Sequence, residues 1–240
     1  FGTLFNIFSF FSLYANIDKF SYKEKFISIK KRPEMDKWII SELNSLILKV
    51  DSAYDDYEPT KVTREISDFV QEKLSNWYVR LNRRRFWKGE YNKDKISAYQ
   101  TLFDCLKTIA CLSSPIVPFY MDHLYHDLLS ITTKEVTSVH LTSFPKWNKN
   151  LINRELEDKI NKARNITSLA LSIRKKEQIK VRQPLTKLII PVKDLNEKEL
   201  INSIENQLIS EVNVKKIEIV QGKNNLIIKD IKPNFKKLGP

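Results

Sequence analysis

Asn76-Trp77-Tyr78-Val79-Arg80-Leu81-Asn82-Arg83-Arg84-Arg85-Phe86-Trp87-Lys88-Gly89 sets four arginines and a lysine among two tryptophans, a tyrosine and a phenylalanine. The stretch continues an apolar pattern of Val62, Ile66, Phe69, Val70, Leu74, Trp77 and Leu81, whose three- and four-residue steps predict a long helix beginning after Glu58-Pro59-Thr60. Gly89 is a suitable C-terminal stop. At about 100° per residue, Trp77, Arg80, Arg84 and Trp87 share the face held earlier by Val62, Ile66 and Phe69. A core stripe therefore turns basic partway along one helix. Burying Arg80 and Arg84 without partners is costly. Roughly the last three turns are thus expected to leave the bundle and meet solvent or a partner. Arginine forks match phosphate, and aromatic faces accept unstacked bases. That mixture points to RNA, with Trp77, Arg80, Arg83, Arg84, Arg85, Trp87 and Lys88 as candidate contacts. The competing reading places each arginine in a carboxylate bridge to a neighbouring helix and both tryptophans in the core.

Working outward, the same periodicity recurs on both sides. Residues 3–16 carry Phe, Leu and Tyr on most faces and predict a buried core helix. They lack a basic leader and fall short of the roughly 20 residues a membrane span needs. A lysine-rich connector covers residues 18–32. From Pro33, the residues Met35, Ile39, Leu43, Leu46 and Val50 mark an amphipathic helix of about six turns. Helices over about 94–112 and from Pro118 follow, then an extended strap over 131–149. A long helix over 151–176 carries Leu156, Ile160, Ala163, Ala170 and Ile173 on its apolar side. After Pro184 the pattern changes to a strand over 185–192, a helix over 196–212, and two strands, 216–220 and 226–231, joined by a turn at 222–225. The expected fold class is mainly α: a helical bundle over 1–148, a long helix and junction over 149–183, and a small, truncated β-α-β-β unit over 184–240. Beginning at Phe1 without Met, the sequence reads as a piece of a longer polypeptide.

The net charge of +12 is unevenly placed. Residues 58–95 carry ten basic and six acidic side chains, and residues 151–186 carry nine and four, whereas residues 1–57 and 96–150 are balanced. Charge concentrated in two helical segments is the footprint of a polyanion binder. The second segment supplies further candidates: Arg164, Arg174, Lys175, Lys176 and Arg182. Cations at a helix C-terminus are favourable in any case. Cys105 and Cys111 form no CxxC, and His123 and His126 would hold a metal only if other ligands converged. No GxSxG, Walker loop, GxGxxG or HExxH is present, so no residue here is a catalytic candidate.

The segment Asn76-Trp77-Tyr78-Val79-Arg80 with Arg83-Arg84-Arg85-Phe86-Trp87 closely resembles the hallmark segment of isoleucyl-tRNA synthetases. So do Phe1-Gly2-Thr3-Leu4, Tyr14-Ala15-Asn16, Asp36-Lys37-Trp38-Ile39, Ser113-Ser114-Pro115, Ser138-Val139-His140-Leu141 and Arg182-Gln183-Pro184-Leu185. The resemblance covers about residues 1–190 and implies the helical anticodon-binding domain of a class I synthetase. It implies tRNA binding at the residues named above, with isoleucine tRNA as the partner. ATP, magnesium, catalysis and editing would belong to other domains of the parent chain. No cofactor or metal is expected in this chain. A cytoplasmic monomer away from membranes is expected. The remaining alternatives are the same domain of a valyl, leucyl or methionyl enzyme, or a helical protein-interaction module without RNA affinity.

Overall fold

The computed structural model describes residues 1–21, 24–88, 90–132 and 137–221. The chain divides into two compact units, one ending at Glu157 and the other beginning at Asp158. The first unit is helical. Its elements are α1 (Gly2–Ile17), α2 (Glu34–Asp55), α3 (Pro59–Asp68), a π-helical segment (Phe69–Val79), α4 (Arg80–Trp87), α5 (Lys93–Ser113) and α6 (Pro118–Leu129). Prolines open three of these where their missing N–H costs nothing: Pro33 at the N-cap of α2, and Pro59 and Pro118 in the first turns of α3 and α6. Asn92 caps α5, its side chain accepting the Lys95 N–H at 3.1 Å.

α2 and α5 form the centre. Trp38, Ile39, Val50 and Ala53 of α2, and Ala98, Leu102, Leu106 and Ile109 of α5, are fully buried. α3, the π-helical segment, α4 and α6 pack around them. α1 departs from the all-round core helix expected of it. Leu4, Ile7, Phe11 and Ala15 are buried at three- and four-residue steps, while Phe5, Leu13 and Ile17 remain exposed on the other face. Among the described residues, no helix is long and apolar enough to cross a membrane.

The connector after α1 is docked on α5 more firmly than its lysines suggest. Phe20 stacks on Tyr99 with ring centroids 4.8 Å apart. Asp18 accepts hydrogen bonds from Lys95 Nζ at 2.8 Å and Tyr99 Oη at 2.6 Å. Arg32, 1% exposed, donates to the Ile27 carbonyl and to Thr101 Oγ1. The strap is pinned at two points, where Asp122 accepts from Ser138 Oγ and Val139 N and Asn44 Oδ1 accepts from Asn148 N; beyond the strap, Ser41 Oγ accepts from Asn153 N.

The long helix α7 (Arg154–Lys176) follows, and its greater part lies in the second unit. There β1 (Leu188–Val192) and β2 (Ile217–Gln221) form a parallel pair, Ile190 opposite Ile219. α8 (Leu195–Ser203) and α9 (Glu205–Val212) make the crossover. The single helix expected over 196–212 breaks at Ile204, whose φ of −116° and ψ of 7° end α8 while its side chain stays buried. The strand expected from Leu185 begins its ladder at Leu188, with only one isolated bridge, Leu185 to Val214, before it. Ala170, Val212 and Val214, covered by Leu188, Ile209 and Ile217, form the small core of this unit. The expected turn at 222–225 and strand at 226–231 lie outside the described residues.

Candidate nucleic-acid interface

From Pro59 to Trp87 the chain is helical throughout, but not uniformly α. In the π-helical segment each N–H reaches one residue further back, as the Arg80 N–H does to the Ser75 carbonyl. Each residue therefore turns through less than 100°, and the core stripe drifts relative to a purely α-helical projection. Beyond Leu74 the buried positions are Trp77, Tyr78 and Val79, then Asn82 and Phe86. The expected face of Trp77, Arg80, Arg84 and Trp87 is thereby divided. Trp77 is 4% exposed, whereas Arg80, Arg84 and Trp87 lie outside, Trp87 at 55%.

The last turns also do not leave the bundle, contrary to expectation. Phe86 meets Phe10 and Tyr99 edge-on, each with centroids 5.2 Å apart. Only one side of α4 faces out. On it Arg80 lies over the Trp77 ring at 5.9 Å and donates from Nε to the Asn76 carbonyl at 2.9 Å. Lys88 lies 5.6 Å over the Trp87 ring. Arg83 is exposed beside them. Gly89, the expected stop, lies outside the described residues.

Arg85 takes the opposite direction. Its Nη1 donates to Asp36 Oδ1 at 2.6 Å and to Asn82 Oδ1 at 3.0 Å. Its Nη2 donates to Asp36 Oδ2 at 3.0 Å and to the Asp94 carbonyl at 2.9 Å, and Nε donates to Asp94 Oδ2 at 3.0 Å. The guanidinium is spent on the protein, which is the carboxylate-bridge alternative weighed for these arginines. Asp36 is 0% exposed and also accepts from Tyr78 Oη at 2.8 Å, with Ser97 Oγ at 3.0 Å. Burial opposes the charge on Arg85, but the hydrogen bonds and charges of Tyr78, Asp36 and Asp94 outweigh it and hold the proton more firmly than in water. Burial first, and then the Asp36 charge, push the Tyr78 phenol well above its ordinary value. Composition and periodicity give no hint of Asp36 as a hub. The one signal in the sequence is a second acid, after Glu34, in the first turn of this amphipathic helix, in the quoted segment Asp36-Lys37-Trp38.

In the second unit the basic candidates also divide. Arg174 is 2% exposed and donates to the carbonyls of Lys180, Gln183 and Asn213 at 3.2, 3.0 and 2.9 Å. It ties the end of α7 to the loop entering β1. Lys175, Lys176 and Arg182 are exposed; Arg164 is partly buried and donates to Asn161 Oδ1 at 3.3 Å. His123 and His126 lie near Asp127 and Asp122 at 3.6 and 3.8 Å. Among the described residues no group of three metal-ligating side chains converges.

The chain is similar to known proteins along its whole length. The family described as the anticodon-binding domain of tRNA ligases matches residues 36–190, which contain both Asp36 and Arg85. A protein from Bacteroides fragilis named isoleucine–tRNA ligase is 52% identical over 241 aligned residues, all of this chain and 21% of the relative. Proteins of the same name from Bacteroides thetaiotaomicron and Cytophaga hutchinsonii are each 53% identical across the whole chain, which spans 21% and 22% of their lengths.

Proposed function

The chain belongs to the family of anticodon-binding domains of tRNA ligases, and from that premise we propose that its exposed basic face grips the anticodon arm of isoleucine tRNA. The observation that carries this reading is the arrangement of Arg80, Arg83, Arg84, Trp87 and Lys88 on the outer side of α4. Anticodon bases are unpaired and can be splayed, so side chains reach their faces and edges. The arginines neutralise phosphate and supply planar donors for base edges. The Trp87 ring is open enough to stack on a base. Trp77 supports Arg80 from beneath, and Arg85 acts through the protein rather than on the RNA. Lys175, Lys176 and Arg182 offer further phosphate contacts, with Arg164 partly available. Arg174 shapes the loop that presents them.

The parent protein is an isoleucine–tRNA ligase, joining isoleucine to its tRNA with ATP and magnesium in domains other than this one. It works in the cytoplasm as a monomer, and this chain contributes recognition rather than catalysis. The test is a titration of the full chain against isoleucine and valine tRNAs at two salt concentrations. Binding should favour isoleucine tRNA and fall steeply with salt. Arg80→Ala and Arg84→Ala should each cost about 1–3 kcal/mol where the arginine makes a bidentate base contact. Equal affinity of both variants and the native chain would remove these residues from the interface. Salt-independent or absent binding would favour a protein-interaction module.

A further inference from the structure

We propose that the buried Asp36–Arg85 pair is a positioning device that fixes the rotation of the RNA-facing side of α4. The inference rests on the RNA-binding reading above.

Three consecutive arginines are chemically interchangeable partners for one carboxylate. Arg83, Arg84 and Arg85 could each meet Asp36 if α4 turned about its axis. With Arg85 as origin, Arg84, Arg80, Trp87 and Arg83 follow at about 100°, 140°, 160° and 200° around the helix, one continuous arc. A rotation that gave Asp36 to Arg84 would move this whole arc and carry Trp87 toward the core. The choice of Arg85 therefore decides which groups face RNA.

Several hydrogen bonds make that choice unambiguous. Tyr78 lies seven residues before Arg85, on nearly the same side of the helix, and shares Asp36 Oδ1 with it. Two donors two turns apart on one carboxylate fix both rotation and axial position. Asn82 Oδ1, between them, accepts from the same Nη1. Asp94 and Ser97 of α5 close the remaining guanidinium directions. The fork matters as well as the charge, because Nη1 and Nη2 each take one oxygen of Asp36.

The test uses the full chain and an isoleucine tRNA anticodon stem-loop, titrated over a range of salt. Asp36→Asn removes a negative charge, which by bulk electrostatics alone would tighten binding to a polyanion. Failed positioning predicts the opposite sign: affinity lower by about fivefold or more, the equivalent of one well-placed interaction. The salt slope should fall by about 0.7 to 0.9 for each phosphate that is no longer neutralised, although every exposed cation is still present. Arg85→Lys keeps the charge and loses the fork, and should behave like Asp36→Asn. Helical circular dichroism is recorded alongside. Should Asp36→Asn unfold, Tyr78→Phe and Ser97→Ala each weaken the hub by one partner. These should retain the helical signal with a smaller loss of affinity. Unchanged or tighter binding, with an unchanged slope, in folded Asp36→Asn or in both milder variants would overturn the proposal. If the native chain shows no salt-dependent binding, the RNA reading and this inference fail together. If it binds and the variants match it, only this inference fails.

Discussion

Phe86 and Trp87 are adjacent aromatic residues whose truncation should have opposite consequences. Phe86 is 1% exposed and meets two rings, Phe10 and Tyr99, each at 5.2 Å. Replacing a buried phenylalanine by alanine costs about 3–5 kcal/mol in transfer and cavity terms. The two edge-on pairs, each about 0.5–1.5 kcal/mol beyond area burial, place Phe86→Ala in the upper part of that range, about 4–5 kcal/mol. Against a domain stability of about 5–15 kcal/mol, this is a large fraction. Trp87 is 55% exposed, and the Lys88 ammonium lies over its ring. Its replacement should change stability by no more than about 0.5 kcal/mol. Its effect should appear in RNA binding, where loss of one stacked base costs about 1–3 kcal/mol. Urea denaturation followed by far-UV circular dichroism measures the first quantity, and titration with an anticodon stem-loop the second. Refutation would come from a Trp87→Ala chain destabilised by more than about 2 kcal/mol, or from a Phe86→Ala chain that loses less than about 1 kcal/mol. Either would mean that the turn of α4 differs from the one described.

Arg174→Met should loosen the second unit, since the carbonyls of Lys180, Gln183 and Asn213 lose a charged donor. The expected cost is about 1.5–3 kcal/mol, read as faster amide exchange over residues 179–214. Alkaline pH should unfold the chain through its tyrosines. Burial raises Tyr54 to about 12 and also raises Tyr78 and Tyr99, the latter two with help from Asp36 and Asp18 respectively. The folded state thus keeps phenolic protons that an unfolded chain releases near pH 10. The resulting stability is fully present below about pH 10 and is lost as pH climbs toward the folded values. Phenolate absorbance should rise for these residues together with loss of helical signal. Ionisation of all nine tyrosines near pH 10 with the helices intact would contradict it.

Much of the fold is legible in the sequence because its helices obey simple periodicity. The steps of Met35, Ile39, Leu43 and Leu46 suffice to place α2, and prolines mark the starts of α2, α3 and α6. The misreadings between Phe69 and Trp87 share a physical origin. Periodicity assumes a constant turn per residue, and the π-helical segment changes it between Phe69 and Val79. From there a projection at 100° assigns the wrong inner positions, which is why it puts Leu81 in the stripe where Tyr78, Asn82 and Phe86 in fact lie. The docking of Arg32 and Asp18 on α5 is hidden for another reason. Burial of a charge depends on partners 69 and 81 residues away, Thr101 for Arg32 and Tyr99 for Asp18, and no local pattern encodes them. For the same reason the candidate RNA contacts can be gathered from the sequence but not sorted into inner and outer.

The sorting follows a geometric rule that applies to both basic triplets. Successive helical residues are about 100° apart, so three consecutive cations span about 200° of the helix surface. In each triplet of this chain the packing turns one cation inward, Arg85 in the first and Arg174 in the second. In Arg83-Arg84-Arg85 the inward residue meets a carboxylate, and Asp36 and Asp94 cancel its charge locally. In Arg174-Lys175-Lys176 the inward residue meets three carbonyls whose dipoles hold the cation without neutralising it. The two triplets therefore differ in the field they project. The first offers Arg83 and Arg84 to an anion, with its third charge cancelled. The second offers Lys175 and Lys176, with Arg174 held behind them by three carbonyls. Arginine suits both inward sites because its fork satisfies several acceptors at once, which a lysine ammonium at the same depth could not match in direction. An acid as deeply buried as Asp36 is thus the structural counterpart of the inward arginine of that run.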